Sequence, residues 1–74
     1  SMKSILKFNL PEEKYEFQCA VMGASWKGVV VDLDEDLRQE LKHGEHDQAY
    51  NEALEYVRRV ILNECLKKDL NLLD

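Results

Sequence analysis

The chain has one proline, three glycines and two cysteines in 74 residues. No uninterrupted apolar run approaches the ~18 residues that a membrane span requires. No repeat, low-complexity tract or Pro/Gly-rich linker divides it, so a single domain over residues 1–74 is expected. Cys19 and Cys65 each lie inside an apolar helical pattern with no disulfide-framework spacing and no signal-peptide pattern ahead of them. They read as buried free thiols behaving as small hydrophobes, which predicts a reducing, cytoplasmic location. Catalytic patterns are missing as well. No serine is followed by elbow glycines, no Cys–His pairing can be argued, and no phosphate-binding loop is present, so an enzyme is not expected.

What is present is ordinary for a folded protein. Apolar residues make up 45% of the chain, and Leu, Ile, Val and Phe recur at regular spacing, which argues against disorder. Ser1 ahead of Met2 reads as a tag-removal scar and is left out of the fold reasoning. A core of this size supplies only about 3–5 kcal/mol, and no staple reinforces it, so a homo-oligomer is expected. The net charge of −5 opposes binding to a nucleic acid polymer, which relies on Lys and Arg neutralising phosphates. A local basic cluster can still hold one small anion against the global sign. An acidic surface also suits docking on a basic partner.

Along the chain, Leu6, Phe8 and Leu10 alternate with Lys7 and Asn9, the period of a β-strand over residues 3–10. Pro11 then opens a helix at its first position, with Glu12 and Glu13 in the first turn and Gly23 as a stop, over about residues 11–22. Residues 25–43 read as a second helix. Ser25 is its cap, Val30, Leu33, Leu37 and Leu41 its apolar face, and Lys42, His43 and Gly44 its end. The rival reading is a strand at 28–32 followed by a helix capped by Asp34, because Gly28 and three consecutive valines are a poor helix start. The helical reading is preferred because the apolar period crosses the join unbroken. A third helix spans about residues 48–68, with Tyr50, Ala53, Leu54, Val57, Ile61 and Cys65 on one face. Ala49, Tyr56, Val60 and Leu66 widen that stripe beyond the ~100° arc one packing partner needs. The expected architecture is therefore mainly α, an N-terminal strand and three helices. A lone strand leaves its backbone groups unpaired, so it is expected to pair between subunits.

Three constellations bear on chemistry. Asp32, Asp34 and Asp36 occupy the first, third and fifth positions of a calcium loop, but Leu37 stands at the glycine position and His43 at the closing glutamate. With Glu35 they read better as a solvated acidic helix face, Arg38 pairing back to Asp34, or as a face for a basic partner. His43 and His46 flank Gly44 without the helical spacing of zinc ligands, so no metal is expected. Trp26 with Lys27, and Arg58 with Arg59, are residue types that stack on a base and clamp a phosphate. The plainer account is a core tryptophan, with the arginines solvated or paired to Glu55.

The opening Lys3-Ser4-Ile5-Leu6-Lys7-Phe8-Asn9-Leu10-Pro11-Glu12-Glu13 with Glu16-Phe17, the stretch Asp32-Leu33-Asp34-Glu35-Asp36-Leu37-Arg38, and Lys42-His43-Gly44 resemble a family of short proteins encoded by tailed bacteriophages. Tyr50, Ala53 and Leu54 in the last helix fit as well, so the resemblance covers nearly the whole chain. Where the family carries an aromatic before Asp-Leu-Asp, this chain has Val31. The resemblance implies an accessory factor of the host bacterial cytoplasm that acts in host takeover or anti-defence by binding. Two functions are thus expected. The first is sequestration of a nucleotide-derived bacterial immune signal at subunit junctions, without catalysis or cofactor. There Trp26 would stack, Arg38, Lys42 and Arg58 would contact phosphate or ribose, and Lys27 and Tyr50 would complete the site. The alternative is an inhibitor or adaptor that docks the acidic face on a host protein.

Overall fold

A computed structural model describes residues 1–72. Two helices dominate it: α1, Lys14–His43, and α2, Gln48–Lys67, joined by a four-residue loop at 44–47. Arg58 on α2 meets Asp34 on α1, positions nearly equidistant from that loop, so the helices run antiparallel as a hairpin.

The mainly α expectation stands, but its detail is corrected. Among the described residues there is no β-strand, and the helices expected at 11–22 and 25–43 are one. Gly23 does not stop the helix, and Ser25 and Asp34 do not cap one. Gly23 and Gly28 each cost about 1 kcal/mol in a helix interior. Interrupting the helix there would free four N–H and four C=O groups, of which a cap such as Ser25 satisfies only one donor. The apolar period passes straight through, and Val30 and Val31 are half-buried against α2. Those valines are thus helical, and the segment at 3–10 has no strand to pair with. The premise for pairing strands between subunits goes with it. Of the alternating residues, Phe8 finds a partner, its ring edge-on to Phe17 at 5.7 Å, while Leu6 and Leu10 stay exposed.

The ends of the helices have local causes. Pro11 does not stand in the first turn of α1. It follows a cis Leu10–Pro11 bond in a turn that includes the Glu13 N–H donating to the Asn9 carbonyl at 2.7 Å. Asn9 returns the contact, its side-chain amide donating to Glu13 Oε1 at 3.2 Å, and α1 begins at Lys14. At the far end Gly44 is extended (φ −74°, ψ 148°), and its glycine is required by close approach. A Cβ there would lie 2.5 Å from the Glu40 carbonyl oxygen and 2.7 Å from the His46 ring. Asp47 caps α2 by accepting from the Tyr50 N–H at 2.9 Å. At the end of α2, Leu70 N–H donates to Cys65 O and Asp69 N–H to Leu66 O, a Schellman motif with Asp69 at positive φ (55°) where glycine is usual.

The seam between the helices is read off the burial. Val30, Asp34, Leu37 and Leu41 on α1 and Asn51, Leu54, Arg58, Ile61 and Cys65 on α2 are shielded, at the alternating spacings of three and four that a helix pair requires. Cys65 alone among the described residues is buried, with 9% of its surface accessible. The Asn51 side-chain oxygen is enclosed in this seam with no hydrogen-bond partner. In the middle of the seam Arg58 Nε and Nη2 donate to the two oxygens of Asp34 at 2.9 and 3.2 Å.

The molecule stays open. Its radius of gyration is 17.2 Å, against about 11 Å for a compact chain of this length. It exposes 6760 Å², where a compact monomer of its mass would expose about 4700 Å². Helix α1 is ten residues longer than α2, so its first third extends past the end of the seam.

The half-shielded ion pair yields a test. Arg58→Ala leaves the Asp34 carboxylate without its partner and should cost about 1–3 kcal/mol, lowering the melting temperature by several degrees. Replacing both together, Asp34→Leu with Arg58→Met, should recover most of that loss. Thermal unfolding followed by circular dichroism decides it. A double variant no more stable than Arg58→Ala would contradict the account.

Candidate functional site

The side of the hairpin that carries Asp34, Glu55, Arg58, Arg59, Leu62 and Leu72 encloses a half-open groove of about 410 Å³. Glu55, Arg59 and Leu62 stand on α2 at spacings of four and three, which keeps them on one flank of the helix beside the seam. The turn at the end of α2 reverses the chain and brings Leu72 back to wall the groove. The volume lies in the range of small-molecule sites.

The two arginines are in different states. Arg58 spends Nε and Nη2 on Asp34, and that carboxylate raises its pKa further, so it stays charged throughout. Its Nη1 is not used in that pair. Arg59 makes a cation–π approach to Tyr56, its guanidinium carbon 6.0 Å from the ring centre. The groove thus combines guanidinium donors, the Glu55 carboxylate as an acceptor, and two leucine walls.

The residues singled out from sequence do not converge. Arg58 lines the groove. Trp26 is exposed on the outer part of α1 with Lys27 beside it, while Lys42 and Tyr50 stand at the loop end. Sixteen residues of α1 separate Trp26 from Lys42, about 24 Å along the axis. Arg38 does not pair back to Asp34. It donates from Nε and Nη2 to Glu35 at 3.0 and 3.2 Å on the exposed face, because Asp34 is turned into the seam and taken by Arg58. Arg58 in turn does not pair with Glu55. Tyr50 stacks on His46, ring centres 4.1 Å apart, and His46 Nε2 lies 2.7 Å from Glu40, so that end is a closed polar cluster. Arg59, noted with Arg58 as a phosphate-clamping type, also lines the groove, whereas Glu55, Leu62 and Leu72 carry no sequence signal for a ligand. The adjacent Arg58-Arg59 pair was the available signal.

The acidic stretch is split in the same way. Asp34 is half-buried, whereas Asp32, Glu35 and Asp36 face solvent. Among the described residues no group of three His, Cys, Asp or Glu side chains is placed to hold a metal ion, and no helix is long and apolar enough to cross a membrane. No family model matches the chain, and no curated protein or solved structure matches it.

Glu35 accepts from Arg38 and from Gln39 Nε2 at 2.7 Å, and these hydrogen bonds hold its carboxyl down at about 2. A carboxyl whose folded pKa lies below its unfolded value contributes stability above the unfolded value, near 4.3, and loses it as pH falls toward 2. The Glu35–Arg38 contact should therefore persist at pH 4, where ordinary glutamates are about two-thirds protonated. A side-chain carboxyl titration by NMR reads this directly. A Glu35 midpoint near 4.3 would refute it.

Proposed function

We propose that the protein is a non-catalytic binding protein that takes up a small nucleotide-type anion in the groove beside Asp34–Arg58. The observation that carries this reading is the composition of that one groove. Arg59 and the Nη1 of Arg58 offer charge-assisted donors for phosphate. Glu55 offers an acceptor for sugar hydroxyls, the role acidic residues take toward ribose in dinucleotide sites. Leu62 and Leu72 offer apolar walls for a base. All the lining residues come from one chain, so the site differs from the junction between subunits that the residue types alone suggested. With the resemblance to phage proteins, the biological role would be sequestration of a nucleotide immune signal.

Calorimetry against cyclic dinucleotides and ADP-ribose tests it. Binding should be seen for at least one of them. Arg59→Ala should weaken it about ten- to hundredfold, the worth of a charge-assisted contact of roughly 1.5–3 kcal/mol. Arg59 is the residue to change, because altering Arg58 also breaks the seam. No heat with any of these ligands would overturn the reading.

A second reading rests on a different observation. Residues 32–57 hold nine carboxylates against Arg38 and Lys42, a net −7, which leaves +2 for the rest of the chain. The loop half of the hairpin is thus strongly acidic and the other half is not, a polarity suited to end-on docking against a basic protein surface. Exposed Asp32 and Asp36 are the residues to reverse, since Asp34 is committed to the fold. Affinity capture from bacterial lysate should return a basic protein at low salt and lose it on Asp32→Lys with Asp36→Lys. Equal recovery by the reversed variant would remove this reading.

A further inference from the structure

We infer that a second copy of this chain docks along α1, antiparallel, about a twofold axis level with Ala24. Tyr15, Cys19, Met22, Trp26, Val29 and Leu33 follow one another at spacings of four, three, four, three and four. That is a coiled-coil seam, and it is not the seam that meets α2. At 100° per residue it lies about 70° round α1 from the stripe Val30–Asp34–Leu37–Leu41. All six of its residues are exposed, Trp26 with 64% of its surface open. Because the helices are antiparallel, Val57 and Val60 of α2 turn to the same side of the hairpin and widen this face beside Leu33. Glu55, Arg59 and Leu62 stand on the opposite flank of α2, so the groove proposed for ligand is left open, and this inference does not depend on it.

The spacing decides the occupant. The order four-three-four-three-four reads the same in both directions, centred on residue 24, so the seam is complementary to itself when reversed, as an isologous interface requires. Tyr15 then meets Leu33 of the second copy, Cys19 meets Val29, and Met22 meets Trp26. Charge decides the direction. Lys14, Asp32 and Asp36 flank the seam on one side. In the antiparallel arrangement Lys14 of each copy falls level with the interval between Asp32 and Asp36 of the other, opposite signs together. A parallel arrangement would carry the Lys14 and Asp32–Asp36 flanks of the two copies to opposite sides of the interface, losing that contact, and would set the two acidic loop ends side by side. The outer third of α1, which has no α2 beside it, would also gain the second copy's α2 as a neighbour. The area suffices, for the chain exposes roughly 2000 Å² more than a compact monomer of its mass, and a stable interface takes about 800 Å² from each partner.

Sedimentation equilibrium and cysteine cross-linking of the full chain test this. The expected mass is twice the 8.7 kDa of one chain, falling to one chain in Trp26→Glu. The Trp26→Glu result alone cannot separate lost association from lost folding, so Val29→Cys supplies orientation in an otherwise intact seam. Mild oxidation of that variant should join Cys19 of one copy to the new cysteine of the other, identified by mass spectrometry. The unsubstituted dimer should form no Cys19–Cys19 bond, those residues standing ten apart, about 15 Å along the axis. A mass of one chain at high micromolar concentration, or a Cys19–Cys19 disulfide in the unsubstituted protein, would overturn the inference.

Discussion

The contact between Asp34 and Arg58 sets the register on which the rest of the structure depends. A bidentate guanidinium–carboxylate pair has a fixed geometry, and it joins α1 and α2 at one height and in one direction. From that height Leu37 comes level with Leu54, Leu41 with Asn51, and Val30 and Val31 with Ile61. The same register leaves the first third of α1 beyond the end of α2. It also decides which carboxylate of the acidic run is structural. Being partly open to water, the pair specifies alignment more than it adds stability.

Two helices present only one mutual seam, and that is the limit on this chain's stability. A helix pair can shield a stripe on each partner, and here the stripe includes an ion pair and an asparagine whose side-chain oxygen is left unsatisfied. Apolar residues outside the stripe have nowhere to go within the chain. Tyr15, Met22, Trp26, Val29 and Leu33 are left in solvent together on one flank rather than scattered, the face on which we infer a second copy docks. The small seam and the large exposed face have one cause: the only helix packed on α1 among the described residues is α2, which shields one stripe of it.

The two flanks of the hairpin differ in chemistry. One is apolar and patterned for another helix. The other carries the groove with Arg58, Arg59 and Glu55, where polar groups converge on a space of small-molecule size. The loop end adds a third character, strongly acidic and held together locally by Asp47 capping α2 and by His46 against Glu40 and Tyr50. Binding in the groove need not obstruct the apolar flank, which lies on the other side of the hairpin.

Read alone, the sequence determined the features that are local. The helical period over residues 25–43, the stop at Gly44 and the start of the last helix at Gln48 all follow from spacing and capping chemistry within a few residues. The acidity and the lack of catalytic motifs are matters of composition. Tertiary structure decided what depends on alternatives at a distance. Alternation at Leu6, Phe8 and Leu10 resembles a strand, but a strand exists only if another pairs with it, and Val29–Val31 are held in a helix instead. Gly23 looks like a terminus, yet a helix ends only where its freed backbone groups find partners. Arg38 and Arg58 both had carboxylates within reach of a sequence argument, and only the register between helices assigned Glu35 to one and Asp34 to the other. Periodicity reports that a residue lies on a face. Which neighbour that face meets is fixed by how the helices align, which is why the six candidate residues came apart and Arg59, Glu55 and Leu72 came together.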